Sequence, residues 1–188
     1  YDQAAPIGDV ILGAPYSRAM QVRFHGRAAH SGMYPEEGRS AIAAAARAIS
    51  DLRLGRIDEE TTANVGIIHG GTAGNIIPEW CTLDAEARSH DERKLDELVQ
   101  EMVDAFSFAA GLEDCEVETK VSKSYKGYRF KPDDPVVRIA HAALERSGHV
   151  VRHRDADVLG GVDHDVRTLR HEAAIEEQLR EVRDPHAG

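Results

Sequence analysis

Residues 70–79 read Gly-Gly-Thr-Ala-Gly-Asn-Ile-Ile-Pro-Glu and stand between two alternating apolar runs. Glycine at 70, 71 and 74, with proline at 78, rules out a helix there. The runs on either side are too regular for the segment to be a linker. The sequence therefore predicts two neighbouring strands joined by a glycine-rich connection. That connection carries one amide side chain, Asn75, at a place where the backbone can present it to a ligand.

The flanking periodicities extend this start into a fold. Over 19–26, Met20, Val22 and Phe24 alternate with Gln21, Arg23 and His25, the pattern of a half-buried strand. Over 39–53, Ile42, Ala45, Ala46, Ile49 and Leu52 recur at helical spacing in an alanine-rich stretch, and Gly55 follows as a stop. Residues 61–68 place Ala63, Val65 and Ile67 on one face of a second strand. Residues 79–88 form a third, with Cys81, Leu83, Ala85 and Ala87 inward and Trp80, Thr82, Asp84, Glu86 and Arg88 outward. Ser89 followed by Glu92 reads as a capping box. The helix it opens carries Leu95, Leu98, Val99, Met102, Ala105, Phe106 and Ala109, with Gly111 as its end. Cys115, Val117, Thr119 and Val121 alternate through a fourth strand. The order βαββαβ, over about 105 residues, is that of an α+β ferredoxin-like sandwich, an antiparallel sheet with two helices on one face.

The flanks are less regular. A short strand is expected from Asp9 to Leu12, a helix over 133–147 and a strand within 150–159, while the chain beyond Gly160-Gly161 is charged, with little apolar periodicity. Neither flank is expected to build a core alone. At 188 residues the chain has room for one domain or two small ones. A net charge of −10, with basic residues interspersed among acids, argues against nucleic acid as a partner. No apolar run approaches the roughly 20 residues needed to span a bilayer, and no signal-peptide pattern is present. Cys81 and Cys115 fall in separate predicted strands and form no disulfide framework, which fits a reducing cytoplasm.

Four stretches then occur in a telling order: Gly26-Arg27-Ala28-Ala29-His30-Ser31-Gly32, Pro35-Glu36-Glu37-Gly38-Arg39-Ser40-Ala41, Gly70 to Glu79, and Ala85 to Ser89. With them, the segment from His25 to about Ser89 resembles the lid, or dimerisation, domain of the co-catalytic zinc exopeptidases and amidohydrolases. The helix entry Pro-Glu-Glu-Gly-Arg-Ser-Ala is most similar to the peptidase T-like branch, and the resemblance extends over about residues 1–165. It implies a lid inserted into a larger α/β catalytic domain that holds two zinc ions. On that reading residues 1–17 and 125–188 are remnants of the catalytic domain, the latter partly irregular, and 18–124 are the lid. Asp2 matches the family's late acidic zinc ligand. The remaining ligands and the general-base glutamate have no counterpart in this chain, which is expected to bind no zinc and to be inactive by itself. Gly160 to Asp165 resembles a substrate-side turn of the family but departs from it at His164 and Asp165, and His186 is a poor match for the final histidine ligand.

Each candidate residue has two readings. From the residues alone, His30 is a turn histidine at a strand end; the resemblance implies a side chain reaching across the dimer to stabilise the oxyanion. Asn75 either supports a tight turn or, as the resemblance implies, hydrogen-bonds the substrate. Arg88 is either a surface ion pair or a planar fork for the substrate's terminal carboxylate. Asp163, His164 and Asp165 lack the spacing of a standard metal set. The functional expectation is the dimerising lid of a zinc-dependent exopeptidase or amidohydrolase, acting on short peptides or acyl amino acids. As a homodimer, it would use its edge strands and helix 39–53 to pair with a second copy. The alternative is a free-standing dimerisation or small-molecule-binding ferredoxin-like module, which explains the fold but not the motifs.

Overall fold

In chain order the elements are β1 (Asp9–Ala14), β2 (Tyr16–His25), β3 (Ala29–His30), a 3-10 turn (Pro35–Glu37), α1 (Ala41–Asp51), β4 (Gly55–Arg56), β5 (Thr61–Gly70), β6 (Ile76–Ile77), β7 (Trp80–Ser89), α2 (Glu92–Leu112), β8 (Glu116–Tyr125), β9 (Tyr128–Arg129), α3 (Pro135–Arg146) and β10 (Arg152–Asp155). This is a computed structural model, and it describes residues 7–155, all within one compact unit. The main sheet has the order β4-β5-β7-β2-β8, and every pairing in it is antiparallel. Apart from the two-residue β4, that is the strand order of the split βαβ sandwich.

Alternation decides which face is covered. Met20, Val22 and Phe24 from β2, and Cys81, Leu83, Ala85 and Ala87 from β7, are buried beneath the two helices. Helix α1 contributes Ala41, Ala44, Ala45 and Ala48, whose small side chains let it lie close to the sheet. Helix α2 contributes Leu95, Leu98, Met102, Phe106 and Ala109. Phe24 and Phe106 meet edge-to-face with ring centroids 6.3 Å apart. Ser40 caps α1 by accepting from the Ala43 amide at 3.1 Å.

The predicted capping box at Ser89 is not what opens α2. The cap is Asp91, whose carboxylate accepts from the Arg93 amide at 2.8 Å and the Lys94 amide at 3.2 Å. Ser89 continues the inward parity of β7, so its hydroxyl is buried against Thr61 at 2.9 Å. Nor does Gly111 end the helix. It continues to Leu112, and the chain reverses at Asp114, whose φ is +50°. Cys115 precedes β8 instead of lying within it.

The flanks associate. β10 pairs parallel to β1, and β9, which no periodicity announced, pairs antiparallel on its other side. Asp9, its side chain fully buried, accepts a hydrogen bond from Arg152 Nε and is ion-paired with Arg154 Nε, at 2.7 Å each. Proline near the start of α3 and Asp134 as its cap residue set where that helix begins. Of the strand expected within 150–159, Arg152–Asp155 is present, and residues beyond 155 lie outside the described residues.

Candidate functional site

The connection after β5 folds back on the segment after β2. β3 and β6 form a two-residue antiparallel ladder, pairing Ala29 with Ile77 and His30 with Ile76. One step further, the Ser31 amide donates to the Asn75 carbonyl at 3.0 Å. His30 and Asn75, distant in sequence, are thus neighbours at one end of the sandwich. Three more backbone bonds fix the return path: Gly26 N to Glu79 O at 2.7 Å, Ala41 N to Pro78 O at 2.9 Å and Gly71 N to Trp80 O at 3.3 Å. Gly71 has φ +79°, a left-handed conformation that suits glycine.

The His30 ring has a defined orientation. Its Nδ1 accepts from the Gly32 amide at 3.2 Å. An accepting Nδ1 leaves the proton of the neutral ring on Nε2, so the outer edge of the imidazole is a donor. The Met33 and Tyr34 amides both donate to the His30 carbonyl, at 3.2 Å and 3.0 Å. This closes a tight turn that holds the backbone beneath the ring. Asn75 is exposed beside it. A ring N–H donor and an amide facing solvent from one anchored loop end can bind an oxygen of a ligand, or the developing charge of an oxyanion.

Arg88 is not part of this group. It lies eight positions beyond Trp80 along β7, which at ~3.4 Å per residue puts it about 27 Å from the loop. There its guanidinium donates to Glu86 Oε2 at 2.9 Å and stands 5.8 Å from the Tyr125 ring centre. Asp2, Asp163, His164, Asp165 and His186 lie outside the described residues. Among the described residues no group of three or more His, Cys, Asp or Glu side chains could hold a metal ion. Those residues therefore do not fit a zinc centre. Burial pushes both the Cys81 and the Cys115 thiol up from their ordinary range, so neither is poised as a thiolate nucleophile.

The outer face of the sheet holds a feature that sequence reasoning did not foresee. The Trp80 ring stacks on His25 at 3.9 Å and 6°, and the Arg23 guanidinium lies 3.9 Å from its centre. Glu79 and Glu116 approach the two His25 nitrogens at 3.4 Å and 3.5 Å. The signal was the shared parity of Arg23 and His25, but the partner Trp80 follows only from the register that sets it opposite His25. At the other end of β2, Arg18 is buried and donates to Glu92 at 2.9 Å and Asp96 at 2.8 Å.

Comparison with known proteins agrees with this architecture. Residues 13–112 match the model of the M20 peptidase dimerisation domain, and the chain belongs to that family, whose members are peptidases and amidohydrolases. The chain is 40% identical over 147 residues to the uncharacterised protein YqjE of Bacillus subtilis, covering 78% of this chain and 40% of that protein. It is 38% identical over 101 residues to the Xaa-Arg dipeptidase of Homo sapiens, covering 53% of this chain and 23% of the relative. Among solved structures, the aminopeptidase PepT of Bacillus cereus superimposes with a TM-score of 0.75 at 35% identity, over 83% of this chain and 42% of that one. A tripeptidase of Staphylococcus aureus gives 0.77 at 36% identity, over 89% and 44%. The chain spans less than half the length of each of these relatives.

Proposed function

We propose that this dimerisation domain serves a zinc-dependent exopeptidase or amidohydrolase acting on short peptides or acyl amino acids. In that enzyme His30 and Asn75 are the lid's contribution to the active site, made across a homodimer. The observation that carries the reading is their convergence on one exposed loop end, with the His30 Nε2 proton turned outward. Arg88, engaged with Glu86 far along the same strand, is not part of that loop end. The flanking sheet and α3 are assigned to a catalytic domain. Its apolar Ile7, Ile139 and Val150 are exposed, a surface that further catalytic-domain structure would cover. The metal and the general base would come from that larger domain. The unpaired thiols Cys81 and Cys115 support a cytoplasmic location, which cell fractionation tests.

The dimer edge is assigned to β5. β4 covers only its Thr62 and Ala63, and the stretch from Asn64 to Gly70 carries no formal charge beyond His69 and leaves Ile68 49% exposed. β8, at the opposite edge, carries Glu116, Glu118, Lys120 and Lys123, the charges that discourage edge-to-edge pairing. Antiparallel addition of a second β5 extends the sheet, and the loop that continues β5 then lies near the twofold axis. Sedimentation equilibrium at tens of micromolar should show a dimer for the chain and a monomer for Ile68→Lys. A wild-type monomer, or a variant that still dimerises, refutes the assignment. In the full-length protein, His30→Ala should lower kcat about 100-fold or more with KM little changed, as for loss of an oxyanion donor. Unchanged kcat would remove His30 from the chemistry.

A further inference from the structure

We propose that Gly38 and Ile77 form a latch that positions His30 and Asn75, making the strap before α1 a positioning element of the site; this rests on the reading of that pair as the site. Ile77 is the inner residue of β6. Its backbone pairs with Ala29, the preceding Ile76 pairs with His30, and Asn75 before that accepts from the Ser31 amide. Where Ile77 sits therefore decides where Asn75 sits relative to His30.

Gly38 closes on Ile77 more tightly than any side chain allows. A methyl group at Gly38 would lie 2.9 Å from Ile77 Cγ2 and 3.0 Å from Ile77 Cβ, with Cδ1 closer still. Rotation about χ1 moves the γ and δ atoms but leaves Cβ in place, and isoleucine is stiff at χ1. Relief thus requires backbone movement. Gly38 itself has φ −81° and ψ 155°, a conformation open to every residue. The contact with Ile77, and not backbone strain, is what requires glycine.

The strap is the better-held partner. The Arg39 amide and carbonyl both bond to Arg27, at 2.9 Å each. The Arg39 guanidinium donates to the Glu36 carbonyl at 3.1 Å and the Gly38 carbonyl at 2.8 Å, and the capped start of α1 follows. β6 has two residues of ladder and is the side that yields. An alanine at 38 would push β6 outward, open the bond from Ser31 to Asn75, and separate the two site residues.

Amide hydrogen exchange by NMR on the 188-residue chain tests the latch in Gly38→Ala, Ile77→Ala and the double variant, and it needs no catalytic activity. In Gly38→Ala the Ser31 amide should exchange about tenfold or more faster, while Met102 and Phe106 in α2 stay within about twofold of wild type. In the double variant the clash with Cγ2 and Cδ1 is gone and only the 3.0 Å approach of Cβ remains, so Ser31 should exchange more slowly than in Gly38→Ala but still faster than in wild type. The latch is refuted if Ser31 keeps its protection in a folded Gly38→Ala chain, if core and site amides accelerate together, or if the second substitution gives no rescue. An intact latch in a protein whose full-length form hydrolyses no amide would leave the positioning in place and overturn the peptidase reading instead.

Discussion

Replacing Ser89 by alanine cuts a chain of hydrogen bonds in the middle. The Asp91 amide donates to Ser89 Oγ at 3.1 Å, and Ser89 Oγ lies 2.9 Å from Thr61 Oγ1. Thr61 in turn hydrogen-bonds the Asp58 carboxylate. With the carboxylate accepting from Thr61 and the amide donating to Ser89, the bond between the hydroxyls must run from Ser89 to Thr61. Ser89 is fully buried and Thr61 is 2% exposed, so water does not replace what is lost. At about 1 kcal/mol net per bond, Ser89→Ala loses the first two links and costs about 2 kcal/mol. Thr61→Val loses the last two and costs about the same, without a change of shape. The double variant loses all three, about 3 kcal/mol, which is ~1 kcal/mol less than two independent losses would give. Urea denaturation measures each value, and with m near 2 kcal/mol/M each single substitution should lower the midpoint by about 1 M. Strict additivity in the double variant would show that the two hydroxyls share no bond, and with it the account of why Ser89 does not cap α2 would fall.

Two further substitutions probe the same end of the sandwich. Asp58 is held below the usual carboxylate range, first by the Glu60 amide and then, against a desolvation push upward, by Thr61 and Lys94. A depressed folded value means stability that is present above the unfolded pKa of about 3.9 and is lost as pH falls through the folded one. Asp58→Asn should therefore flatten the loss of stability below about pH 4 while leaving the slope near neutrality unchanged; an identical acid limb would refute this. Arg18→Met keeps the packed stem but removes the bonds to Glu92 and Asp96. Because both carboxylates are partly solvated and can rehydrate, a loss of about 1–2 kcal/mol is expected in the same urea assay, and a loss above about 4 kcal/mol would mean that they do not rehydrate.

The residues legible in the sequence are those whose side chain is decided by a local period. Alternation placed Phe24, Cys81 and Leu83 inward, and the 3.6-residue repeat placed Leu95, Met102 and Phe106 beneath them, because each depends only on residues a few positions away. Ser89 shows two local rules in conflict. Strand parity and a capping signature both claimed its hydroxyl, and parity won because Asp91 was free to cap in its place. Pairings of two residues fall below any period. β9 was invisible for that reason, and so was the ladder of β3 with β6, although it is what brings His30 beside Asn75.

The separation of Arg88 from the site was open to simple arithmetic. Parity shows which face a strand residue occupies but not how far along the strand it lies, and eight positions at ~3.4 Å exceed the reach of any side chain. Its outward parity was right. The converse holds for His30 and Asn75, which no count along the chain brings together. Their meeting requires the strap to fold back over the loop, and that fold-back marks the sequence with glycines that no positive φ requires, Gly26 against the Arg39 carbonyl and Gly38 against Ile77. At Gly38 it is the neighbour pressed against the glycine, and not its dihedrals, that excludes a side chain. Here that neighbour is the residue that aligns the site.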